Sequence, residues 1–306
     1  MSVDKARCLG YDEGLYTKLV YVMSEQISPA SSASVPLVTG TTKIFGVIAH
    51  PSAHVRAPMV FNERFAAEGR DHLMIPIDAT PDQLVTVMNG LRALENFGGL
   101  TITIPHKVPI AQMCDELGEA ARVCGAVNAV RFGDDGRLYG DIFDGAGFVA
   151  GLALKGHEIT GKRVLMLGAG GAARAIAVAL CQAGVGEIAI ANRTREKAQD
   201  LVNAMVAAAG YTQAYVVDDM GDAAIELARD IDVIINTTSL GLHKGDALPL
   251  ALDNVQSDTL IADIIMVPAR TEWLALAEDM GMQTHYGRHM LDCQLELIGR
   301  FIGALD

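Results

Sequence analysis

Aromatic residues are scarce in this sequence. They fill 5 % of the 306 positions and include one tryptophan, although half of all residues are hydrophobic. A core of this kind is built from Ala, Val, Ile and Leu, as suits a soluble α/β protein. Basic clusters are missing as well. The formal net charge is −13, and without a Lys/Arg stripe no nucleic-acid groove is expected. No apolar run reaches the roughly 18 residues of a membrane helix. The N-terminus lacks the basic start and apolar core of a secretory signal. The five cysteines (Cys8, Cys114, Cys124, Cys181 and Cys293) are odd in number and scattered, with no C-x-x-C pair. Neither a disulfide framework nor a zinc site is suggested, and reduced thiols in the cytoplasm fit best. The eight histidines form no metal-like cluster either. Small-molecule chemistry, without nucleic acid, membrane or metal, is the expectation.

What is present is alternation. Residues 1–38 read as an N-terminal extension, with the linker-like "SPASSAS" at 28–34 and a candidate helix at 11–26. Strands are predicted at 43–50, 72–78 and 100–104, and helices at 57–69, 80–97 and 108–125. Thr80 stands as a cap before Pro81. A hairpin at 126–143 turns around Asp135 and Gly136. From Asp144 the order is helix, strand, glycine turn, helix, then strands at 187–194, 214–217, 232–238 and 259–266. That spacing argues for parallel strands with right-handed crossovers. A last helix at 287–305 has no strand to follow it and is assigned back to the first domain. The predicted fold is α/β with two domains. A substrate domain takes 39–143 and 286–306, and a Rossmann dinucleotide-binding domain takes 144–285.

The glycine turn carries Gly168, Ala169, Gly170, Gly171, Ala172 and Ala173, a G-x-G-x-x-A pattern between a strand and a helix. The first glycine permits a tight turn, and the second lets a pyrophosphate approach the backbone. The small third position lets helix and strand pack closely, with the helix N-terminus facing the phosphates. Glycine turns also arise for packing alone, but this one stands in the context the fingerprint requires. An NAD site places Asp or Glu at the end of the next strand. Here Asn192, Arg193 and Thr194 stand there. A guanidinium fork and a hydroxyl suit a 2′-phosphate, so NADP is expected and NAD is the alternative. The competing reading of Arg193 is an ordinary surface arginine. Thr237, Thr238 and Ser239 end a later strand and are expected to line the nicotinamide side.

Two domains imply a cleft, and ligands of open α/β sheets bind beyond the carboxyl ends of strands. Lys107 follows one such end in "TITIPHK", and Asp144 lies at the domain junction. Paired, they offer a held ammonium that exchanges a proton with a substrate hydroxyl. The competing reading of Asp144 is a helix N-cap, and that of Lys107 is a solvated surface lysine. His106 is expected to face away from its neighbour if strand alternation persists.

From about residue 43 to the C-terminus, the chain resembles the shikimate dehydrogenase family. The pieces are "TIPHK" (103–107), "GAVNAV" (125–130), "DGAGF" (144–148), "GAGGAARA" (168–175), "ANRT" (191–194), "INTTSLGL" (235–242), "ADIIMVPARTEWL" (262–274) and "GRHMLDCQLELI" (287–298). The resemblance implies NADP-dependent interconversion of 3-dehydroshikimate and shikimate, within the chorismate pathway of aromatic amino acid biosynthesis. It places a catalytic dyad on Lys107 and Asp144 and substrate contacts on Thr103, Asn128 and Gln294. Met266 and Gly287 join the cofactor side. Gln294 also makes independent sense, because an amide interrupting the apolar face of Met290, Leu291, Leu297, Ile298 and Phe301 needs polar partners.

Departures are concentrated at one place. The family's His-Ser-x-Ser-Pro motif, whose serines bind the substrate carboxylate, is His54-Val55-Arg56-Ala57-Pro58 here. Thr101 replaces an asparagine, Ile142-Phe143 stand where Asn-Thr precede the aspartate, and Met266 replaces a tyrosine. Thr101, Phe143, Val55 and Ala57 are therefore expected at the substrate's acid end. Arg56 or His54 could supply a replacement charge, against simple solvation of a surface loop. The expected partner is a cyclic hydroxy acid, and the expected assembly is a monomer or homodimer. The alternatives are the same fold and dyad acting on quinate or another cyclic hydroxy compound with NAD, and a non-catalytic NADP-binding regulator.

Overall fold

The protein is described by a computed structural model covering residues 38–53, 55–209, 211 and 213–306. The extension at 1–37, its candidate helix and His54 lie outside the described residues. The chain divides into two compact units, one of residues 38–143 with Leu295–Asp306 and one of Asp144–Gln294. The division falls inside the last helix, downstream of the boundary drawn from sequence at 286.

In the first unit, β1 (Lys43–Ala49), β2 (His72–Asp78) and β3 (Phe97–Ile102) pair in parallel, with β1 in the middle. An antiparallel hairpin of β5 (Ala129–Phe132) and β6 (Leu138–Asp141) extends the sheet beside β3. The two-residue β4 (Glu116–Leu117) closes that edge, giving the order β2-β1-β3-β5-β6-β4. Helix α1 (Ala57–Ala67) and the chain's last residues cover one apolar cluster, made by Phe45, Phe61, Phe65, Met74, Ile298 and Ile302 among others. Each such fully buried side chain contributes about 1.5–3 kcal/mol, which the ordering of the backbone offsets.

Three local expectations are corrected. Strand β3 begins earlier and ends earlier than 100–104. Gly98 and Gly99 belong to it because their neighbours fill the space of a side chain: a Cβ on Gly99 would lie 2.7 Å from Ile302 Cβ. The strand stops at Ile102, where Thr103 N–H turns to Ile48 O (3.2 Å) and Thr103 O accepts from His106 N–H (3.0 Å). The predicted helix at 108–125 is two short helices, α3 (Lys107–Ala111) and α4 (Glu119–Cys124). Between them the backbone pairs with β6, Asp115 N–H bonding Leu138 O (2.9 Å) and Gly118 N–H bonding Gly140 O (2.9 Å). Sheet pairing thus overrides a helical period. Asp141 then receives Ala121 N–H at the start of α4 (3.2 Å). Finally, Thr80 makes no capping side-chain bond: it precedes a 3₁₀ turn (Pro81–Gln83) that leads into α2 (Leu84–Arg92).

The second unit is an all-parallel sheet of β7 (Arg163–Leu167), β8 (Glu187–Ala191), β9 (Ala214–Val216), β10 (Val233–Asn236), β11 (Leu260–Asp263) and β12 (Gln283–His285). Its order β12-β11-β10-β7-β8-β9 reverses between β10 and β7, which pair Asn236 with Leu167. This is the doubly wound Rossmann order, with its switch point at the ends of those two strands. Helices α5 (Asp144–Leu154), α6 (Gly171–Gln182) and α7 (Arg195–Ala209) precede or connect the first strands. Helices α8 (Asp222–Leu227) and α9 (Glu272–Asp279) follow, and α10 (Arg288–Phe301) comes last. The four central strands are buried on both faces by Val, Ile, Leu and Ala, as a parallel sheet requires, while the edge strands β9 and β12 are partly exposed. The lone Trp273 is fully buried, its Nε1–H on Leu250 O (2.9 Å). Among the described residues no helix is long and apolar enough to cross a membrane, and no cluster of His, Cys, Asp or Glu is placed to hold a metal ion.

Candidate active site

In the first unit the candidate residues gather at the carboxyl end of β3. Ile102 N–H bonds Asn128 O (2.8 Å), which ties the strand end to the start of the hairpin. Asn128 is buried, and its Oδ1 accepts from Phe143 N–H (2.9 Å). That bond fixes the amide's orientation and makes Nδ2 the donor end. Lys107 is half-buried at the first position of α3. Its backbone is clamped from both sides. Lys107 O accepts from Val127 N–H (2.9 Å), and the preceding His106 is fully buried, with Nε2–H on Ala79 O (2.7 Å). His106 therefore serves as a tether. The alternation argument does not reach it, because the strand has already ended. Thr101 is buried, and its hydroxyl has no hydrogen-bond partner among the described residues. Thr103 is half-buried just past the strand.

The segment from β1 to α1 carries Val55 and Ala57, both half-buried, with exposed Arg56 between them. Ala57 and Phe143 pack against the same apolar cluster, and Phe143 lies 5.2 Å from Phe301, ring to ring. Earlier in that segment the donors are engaged. His50 Nδ1–H and Ser52 N–H both bond Asp78, each at 2.9 Å. The Ser52 backbone bond, the His50 ring and the Ser52 hydroxyl together hold the Asp78 carboxyl down at about 2.

In the second unit, Asp144 opens α5 and is buried. Glycine lets α5 lie close to its neighbours. A Cβ on Gly145 would strike Ala175 O of α6, and one on Gly147 would lie 2.7 Å from Gln294 Cβ of α10. Gln294, also buried, is thereby seated against the first turn of the helix that begins with Asp144.

The glycine turn sits at the switch point. Gly168 has φ +110°, and a Cβ there would come within 2.6 Å of Thr237 Oγ1, so both conformation and space require glycine. Thr237 is held by its own hydroxyl on Leu167 O (2.7 Å). At Gly170 and Gly171 a Cβ would meet nothing within 4 Å. The backbone over the N-terminus of α6 is thus open to an incoming pyrophosphate, and the residues present fit a dinucleotide. Ala169 is buried beneath the turn and Ala172 half-buried. Asn192 Nδ2–H bonds Thr194 O (2.7 Å) and shapes the turn on which Arg193 and Thr194 are exposed. The next arginine, Arg195, is paired with Asp218 (3.1 Å).

Two positioning residues lie inside quoted motifs that assign them no role. Asn236 Oδ1 accepts from Thr238 N–H (3.0 Å) and Thr238 Oγ1–H (2.7 Å), and its Nδ2–H bonds Leu240 O (3.0 Å), which shapes the Thr237-Thr238-Ser239 turn. Asp263, fully buried, accepts from Ile265 N–H and Thr271 Oγ1–H, both at 2.9 Å, while burial pushes its carboxyl up. An Asn or Asp at a strand's end is the available signal, since such side chains organise turns. Gly287 is explained by packing, because a Cβ would strike Ile264 O, and Met266 is exposed.

Comparison with known proteins agrees over most of the chain. Residues 47–130 match the family described as "Shikimate dehydrogenase substrate binding domain", and residues 151–268 match "Shikimate / quinate 5-dehydrogenase". The shikimate dehydrogenase (NADP(+)) of Rubrobacter xylanophilus is 37 % identical over 244 residues, covering 80 % of this chain and 84 % of its own. Shikimate 5-dehydrogenase from Listeria monocytogenes, solved in complex with shikimate and NAD, is similar with a TM-score of 0.78 at 31 % identity, over 89 % of this chain and 96 % of that one. The ligand-free 5-ketofructose reductase of Gluconobacter sp. strain CHM43 is similar with a TM-score of 0.76 at 32 % identity, over 87 % and 95 %.

Proposed function

The chain belongs to the shikimate dehydrogenase family, and from that premise we infer that it is an NADP-dependent oxidoreductase acting on a CH–OH group. Its reaction is reversible reduction of the ring ketone of 3-dehydroshikimate, or of a close cyclic polyhydroxy analogue. The observation that carries this reading is the coexistence of a Rossmann switch-point turn that only glycine can make with a lysine clamped at the end of β3. NADP, when bound, supplies the hydride.

The chain's own residues supply the proton and the orientation. Lys107 is assigned to the reacting oxygen, giving it a proton during reduction and taking one back during oxidation. An ammonium there also stabilises developing negative charge on that oxygen. Asp144 is assigned to hold the ammonium. Thr103, Asn128 and Gln294 are assigned to ring hydroxyls, the amides orienting the ring by donating and accepting together. Arg193 and Thr194 are assigned to the 2′-phosphate, and Gly168 through Ala172 to the pyrophosphate. Thr237, Thr238, Ser239, Met266 and Gly287 are assigned to the nicotinamide side. A cytoplasmic setting is supported by the odd number and scattered spacing of the five cysteines, which suggest no disulfide framework, and the assembly is taken as monomer or homodimer.

The test is Lys107→Ala. Turnover should fall at least about 100-fold, the scale of a lost acid–base group, while NADPH affinity measured by fluorescence titration holds. Retained turnover would remove Lys107 from the reaction.

A further inference from the structure

A carboxylate leaving water needs a cation or several N–H and O–H donors, and leaving it without them is strongly unfavourable. In the first unit the segment running from β1 into α1 provides neither at its half-buried, described positions Val55 and Ala57. Val55 and Ala57 are aliphatic, and Ala57 rests on the same apolar cluster as Phe143. Of the segment's other described residues, His50 and Ser52 are already engaged by Asp78, and His54 lies outside the described residues. Asp78 leaves a fixed negative charge at the end of β2, next to the same segment. Arg56 is exposed where its neighbours on both sides are half-buried, so the burial pattern turns it away from them. Lys107 is committed to the reacting oxygen.

The hydroxyl-binding complement is different. Thr101 carries a buried hydroxyl with no partner among the described residues, Thr103 stands half-buried beyond it, and Asn128 is pinned with its donor end defined. These are groups for uncharged hydroxyls. A reductase of 5-ketofructose, a keto-sugar without a carboxylate, is similar to this chain at 32 % identity, so the same framework is compatible with an uncharged substrate.

We propose that the substrate of this site is an uncharged polyhydroxy ketone rather than a ring acid, with Val55, Ala57 and Phe143 setting that preference. The proposal rests on the reading above and narrows its substrate class. The ketone carbon gains a hydride and the ketone oxygen a proton. The product is the secondary alcohol, one NADPH becomes one NADP⁺, and no further reductant is needed.

Two substrate pairs test it on the full-length enzyme with NADP(H): shikimate against its methyl ester in oxidation, and 3-dehydroshikimate against 5-ketofructose in reduction. The expected result is a kcat/KM for the ester at least equal to that for the acid, and a higher kcat/KM for 5-ketofructose than for 3-dehydroshikimate. Preference for the acid in either pair overturns the proposal and leaves the dehydrogenase reading intact. Turnover of none of the four removes both. In the double variant Val55→Ser/Ala57→Ser, checked for folding by its Tm, the acid-to-ester ratio of kcat/KM should rise at least about tenfold, the scale of a regained hydrogen bond to a charge. An unchanged ratio overturns the assignment to these positions.

Discussion

His285→Phe should flatten the acid limb of the stability profile. His285 lies on β12, fully buried, and neither ring nitrogen has a hydrogen-bond partner among the described residues. Its ring is 5.5 Å from Phe148, 5.7 Å from His157 and 5.1 Å from His289. Burial, reinforced by the neighbouring histidines and Lys155, lowers the imidazole from 6.5 to about 3. The sign follows from linkage. The folded state keeps the ring neutral, whereas the unfolded chain protonates it below 6.5. The contribution is therefore complete above 6.5 and drains away as pH falls toward 3. Each pH unit in that window costs about 1.4 kcal/mol, so the loss from about pH 7 to about pH 5 is about 2 kcal/mol. Urea unfolding of parent and variant at both pH values measures it. His289, lowered to about 4 chiefly by burial, titrates in both proteins and largely cancels in the difference. The variant should lose about 2 kcal/mol less than the parent. Equal losses would refute the desolvation argument and mean that the ring finds a partner or water in the folded protein.

Two further substitutions address the cofactor side. Arg193→Ala should raise the Kd for NADPH by about 10- to 100-fold, the range of charged hydrogen bonds, and leave NADH nearly unchanged; equal weakening of both would overturn the 2′-phosphate assignment. Gly168→Ala places a side chain at φ +110° against Thr237 Oγ1, so stability should fall by about 1–3 kcal/mol, read as a lower Tm together with weaker NADPH binding.

The parts legible in the sequence are those fixed by neighbours in the chain. The strands at 43–49 and 72–78 follow from short apolar runs, and the glycine turn is readable because strand, turn and helix are contiguous. The misread parts depend on distant partners. The period over 108–125 is helical, yet β6 captures its middle. Gly98 and Gly99 look like a break, but Phe45 and Ile302 fill their side-chain space and make them strand. His106, His285 and Asp78 give no local sign that one is a tether, one an orphaned ring and one a sink for two donors.

The glycine contacts of α5 bear on how such a protein can diversify. Asp144 and Gln294 are located by helices that meet nearly backbone to backbone, where almost no side chain remains to vary. Val55 and Ala57 stand where a short loop leads into α1, with exposed Arg56 between them, and a loop is the kind of element that accepts change most readily. On the roles proposed above, substrate preference can therefore drift through Val55 and Ala57 while Asp144 and Gln294 keep their places. Directed evolution toward new ring substrates should find its gains in that loop and almost none in α5.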